Sequence, residues 1–460
     1  MALMVSVSGI RGIFGSDLTP ENLVSYTAAF GTWLKGGRVV VGRDTRITGP
    51  ICEEIVVATL QSCGCDVIRV GVVPTPTVGI AVRHHQARGG IILTASHNPA
   101  QWNALKLLND RGLFLNKREG ETVIRIADQK QFTFRDYRNL GLCQEDEAAI
   151  DRHIEAILEL PYIHPEQIRG SGFKVAVDAV NGAGSVALPR LLSKLGVEVH
   201  PIHCTPNGDF PHNPEPLPEN LTDLCRKVAS DRFDLGLATD PDADRLAVVD
   251  ENGTLWGEEY TQVAAFDFML SNEPGDTATN LSSSRAASDI TEKYGKTCHR
   301  SAVGEINVVD KMQETGAVIA GEGNGGVINP DLHNGRDALT GAAMILQLLA
   351  DRETSASSYR STLPDYVIIK KKYDLLQMGV DADEMLETMA SIWAPIDPDR
   401  TDGVKVNLEE GWVHVRKSNT EPIVRVYCEA HTLDEARELE EKVMGPVQKQ
   451  VSQQKRQGDA

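Results

Sequence analysis

The chain is 460 residues long, 41% hydrophobic and 24% charged, with a formal net charge of −19. That is ordinary globular composition, with length for several domains of about 100–150 residues. So acidic a chain repels nucleic acid and anionic membrane surfaces, and any anion it binds needs a local basic pocket inside an acidic shell.

No apolar stretch approaches the ~20 residues of a membrane span. Residues 1–15 lack the basic-then-apolar pattern of a secretory signal. The eight cysteines are scattered without a CxxC pair, which reads as reduced thiols in a cytoplasmic protein. Neither nucleic acid nor a membrane is therefore an expected partner, and the sequence leaves the oligomeric state open.

In chain order, short apolar runs end in Gly, Asp, Ser or Pro loops and alternate with amphipathic helical patterns. A first unit opens on the strand pattern Arg38-Val-Val-Val-Gly-Arg-Asp44, reaches an intermediate strand ending near Val72-Val73-Pro74, and then shows Gly90-Ile-Ile-Leu-Thr-Ala-Ser96. A second opens on Lys174-Val-Ala-Val-Asp-Ala179, passes His203-Cys204 and reaches Leu235-Gly-Leu-Ala-Thr-Asp240. A third opens on Thr277-Ala-Thr-Asn-Leu281, passes Ser301-Ala302-Val303 and reaches Ala317-Val-Ile-Ala-Gly-Glu322. The pattern predicts three diverged copies of one α/β unit, each presenting a polar loop at the end of its third strand.

The last stretch differs. Asp402 to Val406 and Trp412 to Val415 read as a hairpin, Pro422 to Tyr427 as a further strand, and about Leu433 to Val443 as a charged helix. Residues after Gln448 read as a frayed tail. The expected domains are 1–150, 151–255, 256–366 and 367–460. The expected fold class is three similar mixed-sheet α/β domains plus a smaller C-terminal α+β domain.

Four loops carry candidate chemistry. Thr94-Ala-Ser96-His97-Asn98-Pro99 puts a serine directly after a buried strand. It reads as a turn or helix cap, or as an exposed nucleophile; a Ser-His acyl-transfer dyad is a rival, without the G-x-S-x-G elbow. Asp240-Pro-Asp242-Ala-Asp244-Arg245 alternates carboxylates, a donor set for a hard divalent cation or a solvated acidic turn. An EF-hand is disfavoured because Arg245 stands where that loop needs glycine. Gly321-Glu322-Gly323-Asn324-Gly325-Gly326 suggests exposed, flexible backbone with one carboxylate and one amide for sugar hydroxyls, and it does not match a nucleotide P-loop. In Arg416-Lys-Ser418-Asn419-Thr420-Glu-Pro-Ile-Val-Arg425, two arginines bracket small donors, which suits a phosphate or an ordinary charged turn. Together they form an ordered set of nucleophile, cation site, hydroxyl reader and phosphate reader.

With Ser8-Gly-Ile-Arg11-Gly12 near the start, these loops make the chain resemble the α-D-phosphohexomutase family over essentially its whole length. The Gly321–Gly326 form is closest to the archaeal-type phosphoglucosamine mutase branch. It departs from the G-E-x-S-G-H of many members and lacks the final His, so no base role transfers to that position. Ala104 also stands where many members have Gly. The resemblance implies four domains around a central cleft, and an intramolecular phosphotransferase acting through phospho-Ser96 and a hexose 1,6-bisphosphate that turns end for end. It implies Mg²⁺ held by Ser96, Asp240, Asp242 and Asp244. It places Arg11, His97, Lys106 and Arg245 near the phosphoryl group in transit. Glu322 and Asn324 would contact sugar hydroxyls, and Arg416, Ser418, Asn419, Thr420 and Arg425 the phosphate not being transferred. Glucosamine phosphate is the favoured sugar, with glucose or mannose phosphate as alternatives. A non-catalytic sugar-phosphate binder would need neither Ser96 nor the three Asp. A phosphoserine phosphatase of the zinc type would need His-rich metal sites.

Overall fold

The structure, a computed structural model, describes residues 3–6, 9–375, 381–417 and 423–458. It divides into two compact units, Met1–Pro274 with Val318–Arg360, and Gly275–Ala317 with Ser361–Ala460. The segment 256–366 is thus shared between them.

The first unit holds two mixed sheets and an antiparallel meander. The larger sheet runs in the order Met4–Ser6, Gly9–Ile13, Trp102–Leu108, Gly89–Leu93, Gly37–Arg43, Cys65–Val72 and Cys143–Glu145. Its four last-named strands are parallel and the others antiparallel. The parallel strands Gly37–Arg43 and Gly89–Leu93 read as apolar runs because helices cover both faces. Val39, Val41, Ile91 and Leu93 are fully buried with Leu23, Phe30, Val56 and Leu60 from the helices Pro20–Leu34 and Gly49–Ser62. The second sheet is ordered Leu246–Asp250, Leu235–Thr239, Lys174–Asp178, Glu198–Ile202, with only the first pair antiparallel. Ile319–Glu322, Gly326–Asn329 and His333–Arg336 form the meander. In both sheets the strands Gly89–Leu93 and Leu235–Thr239 are buried along their length and end at the loops singled out above.

In the second unit, Thr277–Asn280 pairs in parallel with Cys298–Ser301. A four-stranded antiparallel sheet follows in the order Val367–Asp374, Ile423–Ala430, Gly411–Lys417, Val404–Asn407. The helices Ala382–Ile392 and Leu433–Gly458 belong with it, and Met385, Met389, Val413, Val426 and Leu439 share its core. The C-terminal helix corrects the expected frayed tail: it runs on to Gly458, through a stretch rich in good helix formers, Gln, Lys and Arg. Among the described residues no helix is long and apolar enough to cross a membrane, and all eight cysteines are free.

One close approach in the first unit has a thermodynamic consequence. A Cβ at Gly79, in the helix Thr75–His84, would lie 2.5 Å from Cε1 of His333 and 2.7 Å from Gly112 O. That contact encloses His333, and burial, with help from Arg83, pushes its imidazole down from 6.5 to about 3. The unfolded chain takes up a proton near 6.5 that the folded chain refuses until about 3. Stability is therefore expected to fall as pH drops through this window, with a slope from this group of at most about 1.4 kcal/mol per pH unit. Urea midpoints of the wild type and His333→Gln across that range would test it. Curves that stay parallel would show that His333 contributes nothing.

Candidate active site

Ser96 sits at the end of Gly89–Leu93 with φ 48°, a left-handed conformation that an L-residue holds only under constraint. Thr94 Oγ1 accepts from Ser96 N at 2.9 Å and donates to Asp44 Oδ2 at 2.7 Å. The larger constraint is Arg46, which is fully buried. Its Nη2 donates to Ser96 O at 2.6 Å and Asn98 O at 2.7 Å, and its Nη1 to Pro99 O at 2.6 Å and Trp102 O at 3.0 Å. Its Nε donates to Asp44 Oδ2 at 2.9 Å. All five N–H groups of the guanidinium are therefore used, four to hold the Ser96–Trp102 loop and one on Asp44. Sequence reasoning missed Arg46; the available signal was a charged Asp44-Thr-Arg46 directly after a buried strand.

Asp240, Asp242 and Asp244 are fully buried, and one ligand atom from each lies within 4.8 Å of the others. Ala243 at φ 50° and the Ala243 N–H to Asp240 O bond of 3.0 Å curl the loop so that alternate carboxylates converge. Ser96 Oγ donates to Asp240 Oδ2 at 2.8 Å, which joins the first and second predicted loops. Thr75 Oγ1 and Lys106 Nζ donate to Asp242 Oδ2 at 2.7 and 2.8 Å. Burial pushes the Asp240 carboxyl well up, reinforced by Asp244 and Asp242. At Asp242 burial pushes the same way, but Lys106 and Thr75 outweigh it, and the carboxyl lies below the usual range. Oδ1 of Asp242 and Oδ1 of Asp244 are buried without a hydrogen-bond partner. Two orphaned carboxylate oxygens, a third carboxylate and a serine oxygen form an all-oxygen donor set that fits a hard divalent cation such as Mg²⁺.

Cationic groups surround this cluster. Arg245 lies 3.8 Å from Asp244 and 3.9 Å from Asp240, and Arg11 Nη1 donates to Asn98 Oδ1 at 2.8 Å. His97 Nδ1 is 3.4 Å from Ser96 Oγ. Arg245, burial and Arg11 hold its imidazole well below the usual range, so it is neutral near pH 7. Within an acidic chain, this is the local basic pocket that an anion requires.

The glycine-rich loop corrects an expectation. Instead of exposed, flexible backbone, all its residues except Asn324 are buried. Its glycines permit close packing: a Cβ at Gly323 would lie 1.9 Å from Glu259 Oε2, and one at Gly325 2.5 Å from Leu246 O. Leu246 N donates to Gly325 O at 2.9 Å, so this loop rests on the end of the acidic loop. Glu322 is paired with Arg336 Nη1 at 2.9 Å, and Arg336 Nη2 donates to Asp244 Oδ2 at 2.5 Å. Arg336 thereby ties the third loop to the second; no sequence signal marked it. Asn324 Oδ1 accepts from Gly326 N at 3.2 Å.

In the second unit Arg416 and Arg425 are directly opposite on neighbouring antiparallel strands, and Arg416 Nε donates to Asp402 Oδ2 at 2.9 Å. Like charges in that register repel, and Asp402 offsets the charge of Arg416. Ser418, Asn419 and Thr420 lie outside the described residues, as does Ser8.

Comparison with known proteins covers nearly the whole chain. Residues 3–134, 151–253 and 256–366 match the descriptions "Phosphoglucomutase/phosphomannomutase, alpha/beta/alpha domain I", "II" and "III", and residues 373–445 match its "C-terminal domain". A "Probable phosphoglucosamine mutase" of Methanopyrus kandleri is 34% identical over 456 residues, covering 98% of this chain and 99% of that protein. A "Phosphoglucomutase/phosphomannomutase" of Thermococcus kodakarensis is 36% identical over 449 residues, covering 95% and 97%. Among solved structures, a phosphoglucomutase/phosphomannomutase family protein from Burkholderia thailandensis superposes with a TM-score of 0.84 at 27% identity, covering 96% of this chain and 98% of the other.

Proposed function

Because the chain belongs to the phosphoglucomutase/phosphomannomutase family, we propose that it is a phosphohexomutase that interconverts the 6- and 1-phosphates of a hexosamine through a phosphoryl group carried on Ser96. The observation that carries the reading is Ser96 Oγ at 2.8 Å from Asp240 Oδ2, beside two buried carboxylate oxygens that have no hydrogen-bond partner. A binding protein has no use for a strained serine clamped beside a cation site.

Phospho-Ser96 gives its phosphoryl group to the free hydroxyl of the sugar monophosphate. The resulting hexose 1,6-bisphosphate turns end for end, and Ser96 takes the other phosphate. Ser96, Asp240, Asp242 and Asp244 would hold Mg²⁺, which when bound stabilises negative charge on the phosphoryl oxygens. Arg11, Lys106 and Arg245 add fixed positive charge around the same loop. Arg46 fixes Ser96 in place, so that little reorganisation is needed at the moment of transfer. Neutral His97, next to Ser96 Oγ, is a hydrogen-bonding partner for the group in transit. Glu322 and Asn324 are the hydroxyl readers. Arg416, Ser418, Asn419, Thr420 and Arg425 are the reader of the phosphate that stays on the sugar. It must accept either end of the molecule, which suits a guanidinium pair with small donors better than a shaped pocket.

Glucosamine phosphate is the sugar we favour, on the Gly321–Gly326 sequence and on relatives named phosphoglucosamine mutase. The 36%-identical relative named for glucose and mannose phosphates supports the second reading. The test gives phosphorylated enzyme and Mg²⁺ the 6-phosphates of glucosamine, glucose and mannose, and follows 1-phosphates by phosphorus NMR. Dominance of glucosamine 1-phosphate, lost when the metal is chelated, is expected. Preference for glucose or mannose would overturn the sugar assignment alone. Release of free phosphate without 1-phosphate would replace the mutase by a hydrolase.

A further inference from the structure

A second cluster of ligand-type side chains lies at the end of the Lys174–Asp178 strand, apart from the three-aspartate site. Asp178 is 1% exposed, and its Oδ1 accepts from Val180 N at 2.9 Å. Its Oδ2 faces two imidazoles, His203 Nδ1 at 2.9 Å and His212 Nε2 at 3.1 Å. One ligand atom from each of the three residues lies within 4.8 Å of the others.

The tautomer of His212 is what makes this cluster more than a hydrogen-bonded trio. His212 Nδ1 is 2.8 Å from Asn213 O. A carbonyl only accepts, so Nδ1 carries the proton. In a neutral ring Nε2 then presents a lone pair to a carboxylate oxygen, and two acceptors at that distance require a positive centre between them. That centre is either a second proton, making an imidazolium, or a metal ion. A ring N–H donated to a backbone carbonyl, with the other nitrogen turned to the ion, is the usual outer-shell support of a metal-bound histidine.

The donor set also differs in kind from the first site. Two imidazole nitrogens and one carboxylate oxygen suit Zn²⁺, whereas Mg²⁺ prefers oxygen alone. A tetrahedral ion with bonds of about 2.0–2.1 Å separates its ligands by roughly 3.3 Å, so the two separations from Asp178 Oδ2, 2.9 and 3.1 Å, need to open by only a few tenths of an ångström, and the two ring nitrogens lie within 4.8 Å of each other. The His203 and His212 side chains are 22% and 17% exposed, which leaves a fourth position for water.

We propose that Asp178, His203 and His212 form a second divalent-cation site, selective for Zn²⁺-class ions over Mg²⁺. Its consequence lies in the loop that supplies His212. The same loop places Phe210 under the guanidinium of Arg46, 5.2 Å from the ring centroid, and Glu215 at 3.8 Å from Arg245 and 4.0 Å from His97. An ion between His203 and His212 would fasten that loop to the sheet and thereby position groups beside the Ser96 loop.

The test loads metal-stripped, full-length protein with Zn²⁺ in excess Mg²⁺ and dialyses it against Mg²⁺ buffer. Bound zinc is counted by mass spectrometry for wild type, Asp240→Asn/Asp244→Asn and His203→Gln/His212→Gln. One zinc per chain is expected in the first two, and at least a tenfold loss of affinity in the histidine variant. Co²⁺ in place of Zn²⁺ should give wild type the visible bands of a four-coordinate, nitrogen-ligated ion, a readout that holds even if the histidine variant folds poorly. Wild type that retains no zinc, zinc unaffected by removal of both histidines, or Co²⁺ without those bands would each overturn the site and leave a protonated His–Asp–His network. None of these readouts depends on mutase activity, so the proposal and the assigned reaction fail separately.

Discussion

Ser96→Ala is expected to lower turnover by about four to six orders of magnitude, the scale seen when a nucleophile that works as part of a unit is removed. It should barely affect folding. The deleted hydroxyl donates to Asp240 and makes one longer contact with His97 Nδ1, and burial and the neighbouring Asp244 and Asp242 already push the Asp240 carboxyl well up. Asp240 can therefore take a proton in place of the lost donor. The loop backbone stays held by Arg46 through Ser96 O, Asn98 O, Pro99 O and Trp102 O, none of which involves the side chain. Turnover, intact mass after incubation with a sugar bisphosphate, and a denaturation curve together check this. A variant that keeps a tenth of wild-type turnover, or still acquires the phosphoryl group, would remove Ser96 from the reaction.

Arg46→Met should act the other way, on the scaffold first. Methionine keeps an unbranched side chain, but it withdraws five donors from a fully buried site and leaves Asp44 without its ion partner. Burial already pushes the Asp44 carboxyl up, and Arg46 is the main group opposing that push. Breaking a buried pair by removing one member costs about 3–5 kcal/mol. The stranded carbonyls of the Ser96 loop add to it. Turnover should fall at least about a hundredfold even in the folded fraction, because a displacement of ~1 Å at the nucleophile is enough for that. Arg46→Lys restores the charge but not the planar fork, and should recover part of the stability and little of the rate. Urea unfolding followed beside turnover decides it. An unchanged midpoint in Arg46→Met would show that the loop holds itself.

Most of the fold was legible along the chain, for a local reason. Buried parallel strands need continuous apolar runs, and those runs stop at polar residues. Gly37–Arg43, Gly89–Leu93, Lys174–Asp178 and Leu235–Thr239 were therefore readable, and so were the loops that follow them. The C-terminal helix was under-read because a polar, charged stretch looks the same in a tail and on an exposed helix. The glycine-rich loop was misread because a missing Cβ permits both flexibility and tight packing. Only the neighbours Glu259 and Leu246 distinguish the two.

The sequence by itself determined the inventory of the candidate site in the first unit: a serine after one strand and alternating carboxylates after another. Those are properties of residue type and spacing within a few positions. The tertiary structure alone decided which of them act together. Ser96 meets Asp240 and Lys106 meets Asp242 across separations of 144 and 136 residues. Thr75 and Arg336, which help hold the site, carry no local mark, and Arg46 only that of a charged Asp44-Thr-Arg46 after a buried strand, because buried donors and acceptors are matched by position in space. The same reason brings Asp178, His203 and His212 to one point from three places in the chain.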